Sequence, residues 1–198
     1  MNIGLLLSGG MDSTALAYWK RPQFAYTIDY GQLPAEGEIR AAATLCKALS
    51  IQHRIVKADC GGLGLGDMAG RPPSPLAPIS EWWPFRNQLI ITLAAASALA
   101  DGVNELMIGT LKSDSGHADG RPEFIKSISQ LMELQEGSLR ISAPVIALSA
   151  VELVKSSGIP LSLLAWSHSC HVSSYACGQC RGCTKHAETM KDLGYGDY

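Results

Sequence analysis

The feature that most constrains this chain is a repeated alternation of short apolar runs with longer helical segments, the first run ending in two glycines. Residues 2–7 (NIGLLL) predict a buried strand, followed by SGGMDS and a helix over 12–19. Further strands are expected at 24–29, 51–57, 105–108 and 139–142. Helices are expected over 35–49, from 86 or 87 to near 101, over 123–133 and over 150–156. Strands this short and apolar are buried on both faces, the pattern of an α/β fold whose parallel sheet carries helices on each side. With 198 residues the chain is expected to form a single domain over 1–198, with a C-terminal cysteine-bearing segment over 166–198. No internal repeat is present.

Composition excludes several classes. The chain is 46% hydrophobic and 17% charged with a net charge of −2. That balance argues against nucleic-acid affinity built on bulk positive charge. The longest apolar run, 89–100, is interrupted by Thr92 and Ser97 and falls short of the roughly 20 residues a spanning helix needs, so no membrane partner is expected. The N-terminus carries no basic segment before its apolar stretch, and a cytoplasmic location is the expectation.

Ser8-Gly9-Gly10-Met11-Asp12-Ser13 stands between a predicted strand and a predicted helix. Glycines let a backbone approach an anion closely, and a helix N-terminus presents unpaired N–H groups carrying partial positive charge. Ser8 and Ser13 add hydroxyl donors, and Asp12 suits a divalent cation such as Mg²⁺. A Walker loop would need a lysine after its glycines, and no GxxxxGK[ST] run occurs in the chain. Gly64 to Ala69 fits GxGxxA, but the RPPSP that follows cannot open a helix. The stretch 58–84 around it is long for a loop in a compact domain and is placed where an active-site lid would lie.

Four of the six cysteines lie together as Cys170, Cys177, Cys180 and Cys183. Two-residue spacers let successive thiolates converge on one ion, and four thiolates complete a closed tetrahedral Zn²⁺ shell, with Gly178 and Gly182 permitting tight turns. An iron–sulfur cluster uses the same donors. A disulfide reading does not suit a cytoplasmic chain. His168, His171 and His186 stand nearby as alternates, whereas Cys46 is expected in the core. A final helix is expected to follow the cysteines with Ala187 and Met190 facing inward.

The SGGxDS run after the first strand resembles the PP-loop of ATP pyrophosphatases, which split ATP between the α and β phosphates. With the C-terminal cysteines it resembles the 7-cyano-7-deazaguanine synthase family of the queuosine pathway, over nearly the whole chain. Asp29-Tyr30-Gly31-Gln32 matches D-Y-G-Q, and Pro84-Phe85-Arg86-Asn87 is similar to P-G-R-N. Ile108-Gly109-Thr110, then Asp114-Ser115-Gly116 with Asp119, Arg121, Glu123 and Phe124, resemble the segment held to cradle the substrate. Ser142-Ala143-Pro144 and the run from Trp166 to Cys170 complete the likeness.

The resemblance implies a Rossmann-like, adenine nucleotide alpha hydrolase-like fold and an ATP- and Mg²⁺-dependent ligase. It would join a deazapurine carboxylate to ammonia, giving amide and then nitrile. It implies ATP contacts from Ser8, Gly9, Gly10, Met11, Asp12, Ser13, Thr14, Asp29 and Tyr30, and catalytic roles for Asp12 and Arg86. Substrate contacts are implied for Arg86, Asn87, Thr110, Asp114, Ser115, Gly116, Asp119 and Arg121, and zinc on the four cysteines. A guanidinium suits a carboxylate or acyl-adenylate, a carboxylate such as Asp119 suits a ring N–H and amine, and Asn87 also suits a helix cap. A homodimer is expected. The chain departs from the family at Leu33-Pro34 in place of Arg-His, at Phe85 and Gly120, at His117-Ala118, and by lacking a lysine near 149–152. Those departures keep a protein amine open as acceptor, with a product that stops at the amide or becomes a conjugate, as in a defence system. A PP-loop enzyme of tRNA modification is a further alternative.

Overall fold

The computed structural model describes residues 2–196; Met1 and positions 197 and 198 of the expected domain lie outside the described residues. Strands β1 (Ile3–Leu6), β2 (Phe24–Asp29), β3 (Gln52–Lys57), β4 (Glu105–Met107) and β5 (Arg140–Ser142) form one sheet in the order β3-β2-β1-β4-β5. Every pairing is parallel, with Leu5 opposite Ala25 on one side and Met107 on the other. The helices are α1 (Met11–Lys20), α2 (Ala35–Leu49), α3 (Arg86–Ala100), α4 (Pro122–Glu133), α5 (Ala150–Ser157), α6 (Leu161–Leu164) and α7 (Arg181–Asp192). The expected elements all occur, with ends displaced by one or two residues. Among the described residues, no helix is long and apolar enough to cross a membrane.

Strand alternation divides the core. Leu5, Leu7, Ala25 and Met107 point to one face, where they meet Ala15 and Leu16 of α1, Leu45 and Cys46 of α2, Leu153 of α5, and Met190 of α7. Tyr26, Ile28, Leu106 and Ile108 point to the other, against Ile91 and Ala94 of α3 and Ile125 and Ile128 of α4. Chain order leaves β1 in one direction toward β2 and in the other toward β4. Their C-terminal ends therefore open a crevice, the place where ligands bind in sheets of this kind. The glycine run leaves β1 and Gly109-Thr110 leaves β4, both at that crevice.

Three features differ from the sequence reading. The 58–84 stretch is not a free loop. It contains two single turns, Gly61–Leu63 and Asp67–Ala69, and buries Met68 and Trp83. The Trp83 ring meets Tyr30 edge-to-face at 4.9 Å, and Ser80 donates to Asp67 at 2.6 Å. In α7 the inward residues are Thr189 and Met190, while Ala187 faces out.

Asn87 does not cap α3. The cap position is Phe85, in the left-handed region at φ 54° with a side chain that is 77% exposed. A side chain costs roughly 1–2 kcal/mol there, and glycine gives back about 0.5–1 kcal/mol through its unfolded freedom. Phe85→Gly should therefore raise stability by about 0.5–1 kcal/mol, measured as a melting temperature higher by about 2 °C. A lower melting temperature would mean the phenyl ring makes a stabilising contact.

Candidate functional site

The glycine loop is closed by sterics. Gly9 sits at φ 76°, and a Cβ there would lie 2.5 Å from the Glu38 carbonyl oxygen. Gly10 then caps α1 in extended geometry without a side-chain cap, so the first N–H groups of the helix face the crevice. The hydroxyls of Ser8 and Ser13 lie 3.2 Å apart, Gly10 N donates to Ser8 Oγ at 3.3 Å, and Ser13 Oγ donates to the Gly10 carbonyl at 3.1 Å. Thr14 is buried, and its hydroxyl donates to the Gly9 carbonyl at 3.5 Å, so it supports the loop from behind.

A cavity of about 360 Å³ opens above this loop. Of the sequence-predicted residues, it is lined by Ser8, Gly10, Met11, Asp12, Ser13, Tyr30, Arg86, Asn87, Thr110, Asp114, Asp119 and Cys170. The others lie outside its wall. Asp29 accepts from Gly31 N at 3.3 Å and folds onto its own turn. Arg121 is exposed and donates to the Ser115 carbonyl at 3.0 Å, bracing the turn of Ser115 and Gly116 from outside. Gly120, where the family carries cysteine, faces the Asp114 carbonyl so closely that a Cβ would collide with it.

The lysine that the loop's own sequence lacks arrives from the other end of the chain. Lys185, on α7, places Nζ 3.2 Å from Asp12 Oδ2 and 3.9 Å from Asp114 Oδ1. Asp12 is set deep in the wall with about a quarter of its side chain still open. Burial raises its pKa, and the Lys185 ammonium opposes that rise. One cation between two carboxylates at a helix N-terminus is an arrangement ready to exchange partners with a phosphate.

What holds α7 there is the cysteine cluster. The four Sγ atoms lie within 4.8 Å of one another, with Cys177 to Cys183 and Cys170 to Cys180 each at 3.9 Å. Metal–sulfur bonds of about 2.3 Å in a tetrahedron require sulfurs about 3.8 Å apart, so the set fits a four-thiolate metal centre. Backbone N–H groups point at the sulfurs: His171 N and Cys183 N at Cys180 Sγ (3.4 and 3.5 Å), and Cys180 N at Cys177 Sγ (3.3 Å). Backbone hydrogen bonds from Gln179 and Cys180 pull the Cys177 thiol down to about 6, favouring the thiolate a metal needs. The histidines stand outside the set; His168 pairs with the Ser173 carbonyl at 3.0 Å and His186 with Ser169 Oγ at 2.9 Å.

The knuckle is fastened on both flanks. His168 N donates to the Gly9 carbonyl at 2.8 Å, and Arg181 pairs with Glu81 of the 58–84 flap at 3.0 Å. Lys185, Glu38, Glu81 and Arg181 all line the cavity and went unread in the sequence, and His171, read there as an alternate metal ligand, lines it too. The Cys-x2-Cys-x2-Cys run offered the one signal, since it fixed where α7 begins.

Gly182, inside α7, lies so close to the Ser169 carbonyl and the His171 ring that a Cβ would collide with both. Alanine for glycine in an open helix gains about 1 kcal/mol. Here Gly182→Ala should cost roughly 1–3 kcal/mol instead, because the helix must back away. Urea unfolding of the metal-loaded protein measures the sign.

Similarity to known proteins agrees with this geometry. Residues 3–194 match the family of the queuosine biosynthesis protein QueC. The 7-cyano-7-deazaguanine synthase of Thiobacillus denitrificans is 34% identical over 98% of this chain and 95% of that protein. The synthase of Thermoplasma volcanium is 32% identical over 98% and 88%. Among solved structures, the U34-tRNA thiolase NcsA from Methanococcus maripaludis superposes with a TM-score of 0.54 at 16% identity, covering 98% of this chain and 68% of that one, a likeness of fold. A glycine loop at one end, a four-thiolate knuckle at the other and similarity along the full length between them make this chain a member of the QueC family.

Proposed function

We propose that the chain is an ATP-dependent 7-cyano-7-deazaguanine synthase that activates the carboxylate of 7-carboxy-7-deazaguanine by adenylation. The observation that carries this reading is the meeting of the α1 N-terminus with Lys185 at a crevice lined by Arg86, Asn87 and Asp119. The loop N–H groups, with Ser8 and Ser13, suit the β and γ phosphates that depart as pyrophosphate. Lys185 exchanges its carboxylate partners for phosphate oxygens, and the charge it brings stabilises the departing group. Arg86 faces the same space and suits the substrate carboxylate as it attacks the α-phosphate. Asp12 and Asp114 would hold Mg²⁺, which neutralises phosphate charge. Ammonia then displaces AMP to give the amide, and a second adenylation on the amide oxygen followed by loss of AMP gives the nitrile.

The knuckle takes zinc in this reading, as a closed site that contributes folding free energy and leaves no open position for chemistry. Metal analysis should return one zinc per chain without iron or colour, and Cys180→Ser should unfold the protein or sharply lower its melting temperature. A metal-free protein with an unchanged melting temperature overturns the zinc reading.

Incubation with ATP, ammonium and 7-carboxy-7-deazaguanine tests the activity: AMP and pyrophosphate are expected, and ADP would refute it. Lys185→Ala should lower turnover at saturating substrate by roughly 100-fold while metal content stays unchanged. A second reading keeps the adenylate and gives it to a protein amine, favoured by the exposed side chains of Leu33 and Phe85 at positions where the family is polar or small. Intact-mass measurement on co-expressed partner proteins distinguishes the two, since free nitrile with no mass shift removes the conjugation reading.

A further inference from the structure

Each adenylation in this reaction ends with a proton to be removed from the same nitrogen. Displacement of AMP by ammonia gives R–C(=O)–NH₂, AMP and one proton. Adenylation of the amide oxygen gives R–C(=NH)–O–AMP, pyrophosphate and a second proton, and loss of AMP from that species gives R–C≡N, AMP and a third. Lys185 and Arg86 are cations, and Asp12 and Asp114, which face Lys185 here, would hold Mg²⁺ once Lys185 turns to the phosphates. None of these groups is free to take that proton.

Of the other carboxyls that line the cavity, Glu81 is paired with Arg181 at 3.0 Å and Asp119 suits the ring N–H and amine of the substrate, which leaves Glu38. It lies on α2, its backbone carbonyl packs against Gly9, and its side chain lines the cavity together with Ser8, Tyr30 and Arg86. Gln32 Nε2 donates to Glu38 Oε2 at 2.7 Å, and Gln32 is itself locked by the Ile28 carbonyl (3.0 Å) and the Tyr30 N–H (2.9 Å). The buried Gln32 amide therefore ties the Glu38 carboxylate of α2 to the end of β2 and fixes its direction. We propose that Glu38 is the proton acceptor for the nitrogen in both rounds, taking one proton as the amide forms, one as the amide oxygen is adenylated and one as the nitrile forms. This rests on the adenylation reading given under Proposed function.

The electrostatics agree with the geometry. Burial lifts Glu38 from the usual carboxyl range to about 7. The Gln32 hydrogen bond and the Arg86 guanidinium of α3 oppose the rise, while Asp29 at the end of β2 adds to it. A base near neutrality both accepts a proton and returns it to solvent between rounds. The sign for stability follows. A raised carboxyl favours folding below its ordinary pKa of 4.5, and that contribution is lost as pH rises toward about 7. Glu38→Gln should therefore lose less stability than wild type between pH 5 and pH 8.

The test separates the nitrogen step from activation. Wild type should exchange labelled pyrophosphate into ATP when 7-carboxy-7-deazaguanine is present. It should also form amide at a rate that, at fixed free ammonia, rises with pH through about 7. Glu38→Gln should keep exchange within about threefold and still give the hydroxamate with hydroxylamine, while ammonia-dependent amide formation falls by roughly 100-fold and loses its pH dependence. Gln32→Leu, which leaves the carboxyl in place, should move the midpoint of the wild-type profile to higher pH. Amide formation preserved in Glu38→Gln, exchange lost in parallel with it, or an unmoved midpoint in Gln32→Leu would each overturn the proposal. Wild type that fails to exchange at all would remove the adenylation reading, and this one with it.

Discussion

Everything at the crevice depends on the turn at Gly9. Its left-handed backbone and absent Cβ let β1 reverse into α1 directly beneath the Glu38 carbonyl, and its own carbonyl accepts the backbone N–H of His168. Three distant parts of the chain, residues 8–13, the first turns of α2, and the segment entering the cysteine knuckle, therefore meet at one glycine. Any larger residue would separate α1 from α2 and release the C-terminal segment.

From that turn the charge distribution follows. A helix N-terminus is positive and incomplete, and a lysine following the glycines would normally supply the charge that holds a nucleotide's terminal phosphates. In the proposed reading that charge comes from Lys185 of α7, and a long side chain on a 12-residue helix would wander without an anchor. The four thiolates, the Arg181–Glu81 pair and the glycine contact at Gly182 provide it. The cysteine knuckle thus decides where Lys185 stands. The 58–84 segment packs against the other side through the buried side chains of Trp83 and Met68.

The strand and helix pattern was legible because it is local: a period of two for strands and of 3.6 for helices, with glycines where β1 turns. The cysteines were legible because metal geometry constrains spacing. Lys185 was not, since nothing near residue 12 signals a partner 173 positions away. Phe85 misled for a different reason: a left-handed position is readable when glycine fills it, and this chain tolerates the strain of an aromatic residue there. Ala187 was placed inward on residue type alone, whereas the phase of α7 is set by the knuckle and by Met190. Asp29 and Arg121 have the right chemistry for a ligand, and each also makes a short-range hydrogen bond, to Gly31 and to Ser115, that the spacing alone does not signal.

The central claim is that the substrate carboxylate attacks the α-phosphate of ATP, and isotope transfer tests it most directly. With both carboxylate oxygens of 7-carboxy-7-deazaguanine labelled with ¹⁸O, each AMP released on the way to the nitrile should carry one labelled oxygen, and the pyrophosphate none. Label in orthophosphate, pyrophosphate or ADP, or AMP without label, would contradict it.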